Sequence, residues 1–505
     1  SAAGILKREN PEMAEEVILM KAMKNINMPR FIKDDSIIFE GLIKDLFPSL
    51  DTSIEGNEQL RVLVKATLEE NKYKVIEAQV GKIIQMYEMM LIRHTSMVCG
   101  PPQSGKSVIL EGLRKTVEKM NNTQIVQYLL NPKAQTIPRL YGKKNDISGD
   151  FEIGILANIF QIANAPLPPP KHDGRTETRW IILDGDIDPY WIENMNSVMD
   201  DSKTLTLENK DRIIMQKYCS MILESSNIHH ASLATISRLG IIYVDSSVMD
   251  YKCYFSRWLE HKVAPDWDWE QAMKENLEIL FDRTVEKCIK YVLKGAKGDE
   301  EEGIPLQTIC KQYPLAMVRQ LCSLLDVLLP PTQPPTEQTQ LEPVFAFVLV
   351  WAMGGTLKSE EREKFSKFVK EVIVTGTNLP SNMYTQRYDI NKVAFEEWDH
   401  ITNIIPEDID MKQKFNDIII PTMDTKRYSW LLGELIKTRK PVLFLGESGT
   451  GKSVTIQNYL KFITRKGVER DPNRKSYLLL NINFSSRTSA MDFQNNLEEV
   501  IESRA

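Results

Sequence analysis

Two copies of one short pattern constrain this chain more than anything else in it. Gly100-Pro101-Pro102-Gln103-Ser104-Gly105-Lys106-Ser107 and Gly446-Glu447-Ser448-Gly449-Thr450-Gly451-Lys452-Ser453 both fit G-x-x-x-x-G-K-[ST]. Each follows a short apolar run, Thr95 to Cys99 and Pro441 to Leu445, and each opens a helical pattern, Ser107 to Met120 and Ser453 to Phe462. A strand, a glycine loop and a helix in that order aim backbone N–H groups and the positive end of a helix at one point, which is how phosphates are held. Gly100, Pro101, Gln103, Ser104 and Gly105 form the first expected cradle, and Gly446, Gly449, Thr450 and Gly451 the second. Lys106 and Lys452 are expected to reach the β- and γ-phosphates of ATP or ADP, and Ser107 and Ser453 to offer a hydroxyl to Mg²⁺.

The rest of the chain supplies the context such a loop needs. Apolar strands are expected at Trp180 to Leu183, ending on Asp184, at Met221 to Leu223, ending on Glu224, and at Ile241 to Val244. Helical patterns separate them, among them Glu69 to Met90 before the first loop, so the fold class is α/β with a parallel sheet. Residues 12 to 46 read as a small helical piece, and beyond about residue 250 the pattern turns mainly helical. Loop signals interrupt it at Gly298 to Gly303 and at Pro330 to Pro335. Gly100 and Gly446 lie 346 positions apart, which implies large modules in tandem. A 505-residue chain with 42% hydrophobic residues has room for two to four such cores.

A net charge of -6 argues against nucleic acid and anionic lipid as partners. The most apolar run, Val344 to Met353, is too short to cross a bilayer and reads as a buried helix or strand. Six cysteines without C-x-x-C pairing suit unpaired thiols in a reducing, cytosol-continuous space. His229-His230, taken as neighbours on opposite faces of a strand, are not spaced as metal ligands, and Trp267 and Trp269 read as core or interface residues. Both ends look cut from a longer protein.

Asp184 stands where a P-loop ATPase places the carboxylate that holds the magnesium water. The following position, usually a Glu that polarises the attacking water, is Gly185, with Asp186 beyond it. Glycine has no base to offer, so the first site is expected to bind nucleotide and hydrolyse it poorly or not at all.

The string Asp184-Gly185-Asp186-Ile187-Asp188-Pro189-Tyr190-Trp191-Ile192-Glu193-Asn194-Met195-Asn196-Ser197-Val198-Met199-Asp200-Asp201 resembles the second AAA+ module of dynein heavy chains. So do Ile84 to Glu88, Arg93-His94, Asn131 to Ala134, Leu140 to Gly142, Ala234 to Arg238, Phe345 to Leu357 and Ile420 to Tyr428, which together cover nearly the whole chain. The resemblance implies four parts: residues 1–50 as the helical end of a first module, 51–250 as the large α/β part of the second, 251–390 as its small helical part and linker, and 391–505 as an incomplete third module.

It also implies roles. The first module is the main ATPase of this family, the second binds nucleotide structurally, and the third binds nucleotide and regulates a minus-end-directed microtubule motor. Arg238 becomes the arginine finger toward the first module's nucleotide, although a helix-terminal surface Arg is the alternative. Glu224 falls near the position that senses the γ-phosphate. Lys21 and Lys24 sit where the family has sensing arginines, and a solvated helix face explains them almost as well. Asn131 to Phe151 and Asp201 to Ile213 resemble inserts that meet the moving linker arm, or are simply exposed loops; Pro421-Thr422 passes the adenine by resemblance, or Thr422 starts a helix.

Partners implied are the neighbouring modules and linker, microtubules through parts of the heavy chain outside this segment, intermediate and light chains, and other axonemal subunits, with no nucleic acid and no membrane. The implied location is the cytoplasm and cytoskeleton, the cilium axoneme being favoured. The competing readings are a nucleotide-binding structural scaffold and another AAA+ remodelling ATPase.

Overall fold

The structure, a computed structural model, describes residues 2–9, 11–48, 50, 58–145, 147–169, 174–246, 249–263, 266–267, 269–296, 303–329, 331, 335, 337–373, 379–390, 392–398, 422–464 and 479–502. It divides into two compact units, Ser1–Asp250 and Tyr251–Ala505.

In the first unit, helices α1 (Ala2–Glu9), α2 (Glu15–Asn27) and α3 (Lys33–Leu46) precede α4 (Glu58–Glu70) and α5 (Glu77–Ile92). The sequence pattern suggested one helix over Glu69 to Met90, whereas the chain breaks between α4 and α5. The cause is local. Lys72 takes a left-handed φ of 57°, and the Tyr73 N–H closes back on the Leu68 carbonyl at 2.9 Å, a helix-ending wrap. Next come β1 (Thr95–Cys99), α6 (Lys106–Asn121), β2 (Thr123–Leu130), α7 (Ile137–Tyr141), the hairpin β3 (Gly142–Lys144) and β4 (Phe151–Ile153), and α8 (Ile155–Ala163). Then follow β5 (Thr176–Asp184), α9 (Pro189–Ile192), α10 (Asn196–Met199), the hairpin β6 (Thr204–Thr206) and β7 (Arg212–Ile214), β8 (Cys219–Ser225), α11 (Leu233–Arg238) and β9 (Gly240–Tyr243).

Five of these strands form one parallel sheet in the order β2-β5-β8-β1-β9. Because side chains alternate along a strand, each strand feeds both faces. Met97, Ile181, Leu183, Met221, Leu223 and Ile241 enter a core with α7 to α10. Val98, Trp180, Ile182, Ile222 and Ile242 enter another with α4, α5 and α6. Burial on both faces explains why these strands read as unbroken apolar runs. The sheet puts the end of β1 between the ends of β8 and β9, with Val98 opposite Glu224 and Asp184 opposite Glu224, so the P-loop and both strand-end acids share one edge. Strand β2 has no counterpart in the sequence reading: of its eight residues only Ile125 is fully buried, and Thr123, Gln124 and Gln127 are polar.

The second unit begins with helices α12 (Tyr251–Glu260), α13 (Gln271–Lys294), α14 (Pro314–Leu328), α15 (Gln338–Gly354) and α16 (Ser359–Ile373). The run Val344 to Met353 lies inside α15 and is buried all round, so it is helix rather than strand. The hairpin β10 (Gln386–Asp389) and β11 (Ala394–Glu397) follows, and then α17 (Met423–Lys437), α18 (Lys452–Thr464) and α19 (Ala490–Glu502). Trp269 is buried in this unit's core and Trp267 packs against it, as the sequence suggested. The strand expected at Pro441 to Leu445 does not form: these residues have no strand partner among the described residues, and a strand exists only through one. His229 and His230 sit in an exposed turn, not on opposite faces of a strand. All six cysteines are unpaired, and no described helix is long and apolar enough to cross a membrane.

Candidate functional site: a nucleotide pocket at the sheet edge

Leaving β1, the chain passes so close to its neighbours that only glycine fits at position 100. A Cβ there would lie 2.1 Å from the Val244 carbonyl oxygen, while the Gly100 N–H donates to the Ser225 carbonyl at 3.2 Å. The loop is thus clamped between the ends of β8 and β9. It then turns through left-handed residues, Gln103 at φ 69° and Gly105 at φ 89°, and enters α6 at Lys106.

Lys106 is buried, and its Nζ donates to the Gly100 and Pro101 carbonyls at 2.9 and 3.0 Å. An ammonium has three donors, so one remains for a phosphate oxygen. Three further polar atoms here are buried without a partner: Ser104 Oγ, Gln103 Oε1 and the Gln79 Nε2, which would lie 3.2 Å from a Cβ on Gly105. Of these, the Ser104 hydroxyl and the Gln79 Nε2 are donors, and a phosphate oxygen accepting from them would remove their desolvation cost. A nucleotide's phosphates fit the cradle.

Ser107 Oγ donates to Glu224 Oε1 at 2.9 Å. Glu224 is half-buried, and burial above all raises its pKa; the Ser107 hydrogen bond and Lys106 oppose this, and the Asp184 charge adds to it. Two carboxylates and a hydroxyl at one strand edge are the oxygen donors that Mg²⁺ prefers, with Ser107 and Asp184 the residues that would hold it. When bound, the ion would supply positive charge that neutralises the phosphates.

Gly185 donates its N–H to the Glu224 carbonyl at 3.0 Å, and a Cβ on it would meet Asn131 Oδ1 at 2.6 Å. Asp186, the next acid along the chain, is already engaged by hydrogen bonds. Its Oδ1 accepts from the Ser226 hydroxyl at 2.5 Å and the Ser226 N–H at 3.2 Å, and these bonds hold its pKa below the ordinary carboxylate value. Sequence reasoning did not find Asn131 or Gln79 at the site, since a lone amide carries no pattern until the fold places it.

Arg238 ends α11, immediately before β9, and so stands at the strand-start edge, away from the Gly100 loop. Its Nε pairs with Asp200 and its Nη1 donates to the Ala234 carbonyl at 2.9 Å. In a parallel sheet the two edges are separated by the strand length, so Arg238 faces away from its own module's pocket. On α2, Lys24 is buried, which a solvated-face charge would not be, and Lys21 is partly exposed.

In the second unit, Gly449 and Gly451 have φ of 81° and 80°. Lys452 curls back as Lys106 does, donating to the Gly446 carbonyl at 2.9 Å and to the Glu447 carbonyl, while the Thr450 hydroxyl donates to Glu447 at 2.9 Å. Ser453 opens α18 beside Lys452. Thr422 Oγ1 accepts from the Thr425 N–H at 3.2 Å, a helix N-cap; Pro421 lies outside the described residues.

A five-stranded parallel sheet with a glycine loop after its fourth-ordered strand, a buried lysine in that loop and an acid on a neighbouring strand end define a P-loop nucleotide-binding module of the AAA+ type. Residues 1–107 match the family described as "Hydrolytic ATP binding site of dynein motor region", residues 277–400 "Dynein heavy chain AAA lid domain", and residues 407–505 "P-loop containing dynein motor region". The chain is 37% identical over 99% of its length to the Dynein-1-alpha heavy chain, flagellar inner arm I1 complex, of Chlamydomonas reinhardtii. It is 36% identical over 99% to Dynein axonemal heavy chain 10 of Homo sapiens, and 30% over 99% to the Dynein gamma chain, flagellar outer arm, of Chlamydomonas reinhardtii. It spans 11%, 11% and 10% of those relatives' lengths. The chain belongs to the dynein heavy-chain family and is a segment of its motor region.

Proposed function

We propose that this segment carries a structural nucleotide site at Gly100 to Ser107 and a regulatory one at Gly446 to Ser453, within an ATP-driven microtubule motor. The single observation behind the first assignment is at position 185, where no side chain exists and the space a Cβ would take is filled by Asn131. Asp186 is occupied by Ser226, and Glu224 by the Ser107 hydroxyl. In this reading no carboxylate stands where a Glu at position 185 would polarise the attacking water.

In this reading residues 1–50 close a first AAA+ module, 51–250 and 251–390 make the large and small parts of the second, and 391–505 open the third. Mg²⁺ sits with ATP or ADP on Ser107 and Asp184, and on Ser453 in the third module. Arg238 is the arginine finger offered to the first module's nucleotide; its place at the edge opposite the Gly100 loop supports that direction. The hairpins β3–β4 and β6–β7 flank a cleft of 390 Å³ lined by Phe151, Ile153, Gln161, Leu207 and Arg212, a surface suited to the linker arm. The words axonemal and flagellar in the relatives' names support the axoneme as location; intermediate and light chains as partners and microtubules as track are what the family resemblance implies, through parts of the heavy chain beyond this segment.

The test is mass-spectrometric identification of nucleotide retained at the Gly100 loop after long incubation with Mg²⁺, in a chain whose second loop is silenced by Lys452→Ala. Retained ATP supports a silent site. ADP and free phosphate would overturn it, and Glu224→Gln would then be the variant to show which carboxylate acts as base.

A further inference from the structure

Among the described residues, two part-buried arginines of the first unit have no carboxylate partner. Arg30, just after α2, donates its Nη2 to the Leu239 carbonyl at 3.1 Å, and its Nε is buried without a hydrogen bond. Arg93, just after α5, packs on the same dipeptide: a Cβ on Gly240 would lie 3.3 Å from Arg93 Cβ. Burial first, and the Arg93 charge second, hold the Arg30 guanidinium below its ordinary pKa. Arg238, the next residue back, brings a third guanidinium to this edge, but that one is matched by Asp200.

Two like charges held together without a counter-charge work against folding. Proteins retain such an arrangement where function supplies the missing ion. Planar guanidiniums offer forked donors matched to phosphate oxygens, and an orphaned Nε is a donor in need of one. A carboxylate could satisfy one fork, whereas a polyphosphate carries enough charge and oxygens for both.

We infer that Arg30 and Arg93, beside Arg238, form a phosphate-binding pair for the terminal phosphates of the nucleotide carried by the preceding module. This rests on the reading of Arg238 given above. Arg30 belongs to the helical end of the first module in that reading and Arg93 to the second, so the pair straddles their junction. Without phosphate the two arginines repel, and with it they are bridged. The nucleotide's terminal phosphate therefore tightens the junction, and its loss loosens it.

Two experiments test this. In the heavy chain that carries this segment, Arg93→Gln is expected to weaken ATP binding at the preceding module about tenfold and ADP binding much less, with Arg93→Lys intermediate. Equal losses for ATP and ADP, or none, would overturn the pair. In this chain with Lys106→Ala and Lys452→Ala, pyrophosphate is expected to raise the melting temperature, and Arg93→Gln to abolish that rise. The same variant without pyrophosphate is expected to melt higher than its parent because the repulsion is gone. A structural arginine would give the opposite, a lower melting point with the pyrophosphate response intact. If Arg238→Ala leaves turnover unchanged, the finger assignment fails on its own, and the pyrophosphate result still decides the pair.

Discussion

Replacing Gly185 by Glu puts a carboxylate at the position where the proposed silent site has none, and the structure sets its cost. The new Cβ would sit 2.6 Å from Asn131 Oδ1, so the amide must rotate away. Asn131 then gives up the bond it accepts from the Lys133 N–H at 3.0 Å, which caps the short turn Pro132–Ala134. Gly185 is not among the glycines with positive φ, so no backbone strain is added. Loss of a cap costs about 1 kcal/mol. For a unit of some 250 residues that corresponds to a melting temperature lower by roughly 2–4 °C. Gly185→Ala brings the same Cβ without the base and serves as the control. A positioned general base contributes roughly 10²–10⁴-fold, so Gly185→Glu should turn over retained ATP at the first loop by that factor above the parent, and Gly185→Ala should not. Single-turnover hydrolysis with Lys452→Ala in the background gives the rate, and differential scanning calorimetry the stability. A folded Gly185→Glu that hydrolyses no faster than Gly185→Ala would refute the claim that a missing base silences this pocket.

Two further outcomes concern stability. Burial lowers the Lys82 ammonium from 10.5 to about 8, with Asp245 opposing the shift. Between those values the unfolded chain keeps a proton that the folded chain has released, so stability should rise with pH through about 8 to 10.5, by at most about 3 kcal/mol. Lys82→Met should remove that rise and stabilise the protein at neutral pH; denaturant titrations of both chains with identical pH slopes would exclude it. Lys262 is buried against the rings of Trp258, Trp267 and Trp269, its Nζ 3.4 Å from the Trp267 centroid, and is paired with Asp326 at 2.5 Å. Asp326→Ala strands that charge and should cost about 3–5 kcal/mol, while Lys262→Met with Asp326→Leu should cost far less. Equal melting temperatures for the two would show that the pair is not the source of the loss.

Local patterns carried much of this molecule. Each P-loop announces itself because glycines, lysine and serine must stand at fixed offsets for a backbone to wrap phosphate, and the buried strands β1, β5, β8 and β9 announce themselves by apolar runs. The acids Asp184 and Glu224 were visible as the residues at which two such runs stop. Less visible was β2, whose half-polar composition gives no period, and the break between α4 and α5, which depends on one residue, Lys72, adopting a left-handed turn. The apolar run Pro441 to Leu445 has a strand's composition, yet pairing needs a neighbour and none lies among the described residues.

By itself, then, the sequence determined which residues are on offer: two P-loop patterns, a strand-end acid, and a glycine directly after it. Only the tertiary structure decided what that glycine faces, because Asn131 reaches it from the end of the adjacent strand β2, 54 positions away in sequence. The same holds for the tie between Ser107 and Glu224 and for the arginines gathered around Leu239 and Gly240. Hydrogen bonds and charges act over a few ångströms, and which residues come that close is a property of the folded sheet rather than of their spacing along the chain.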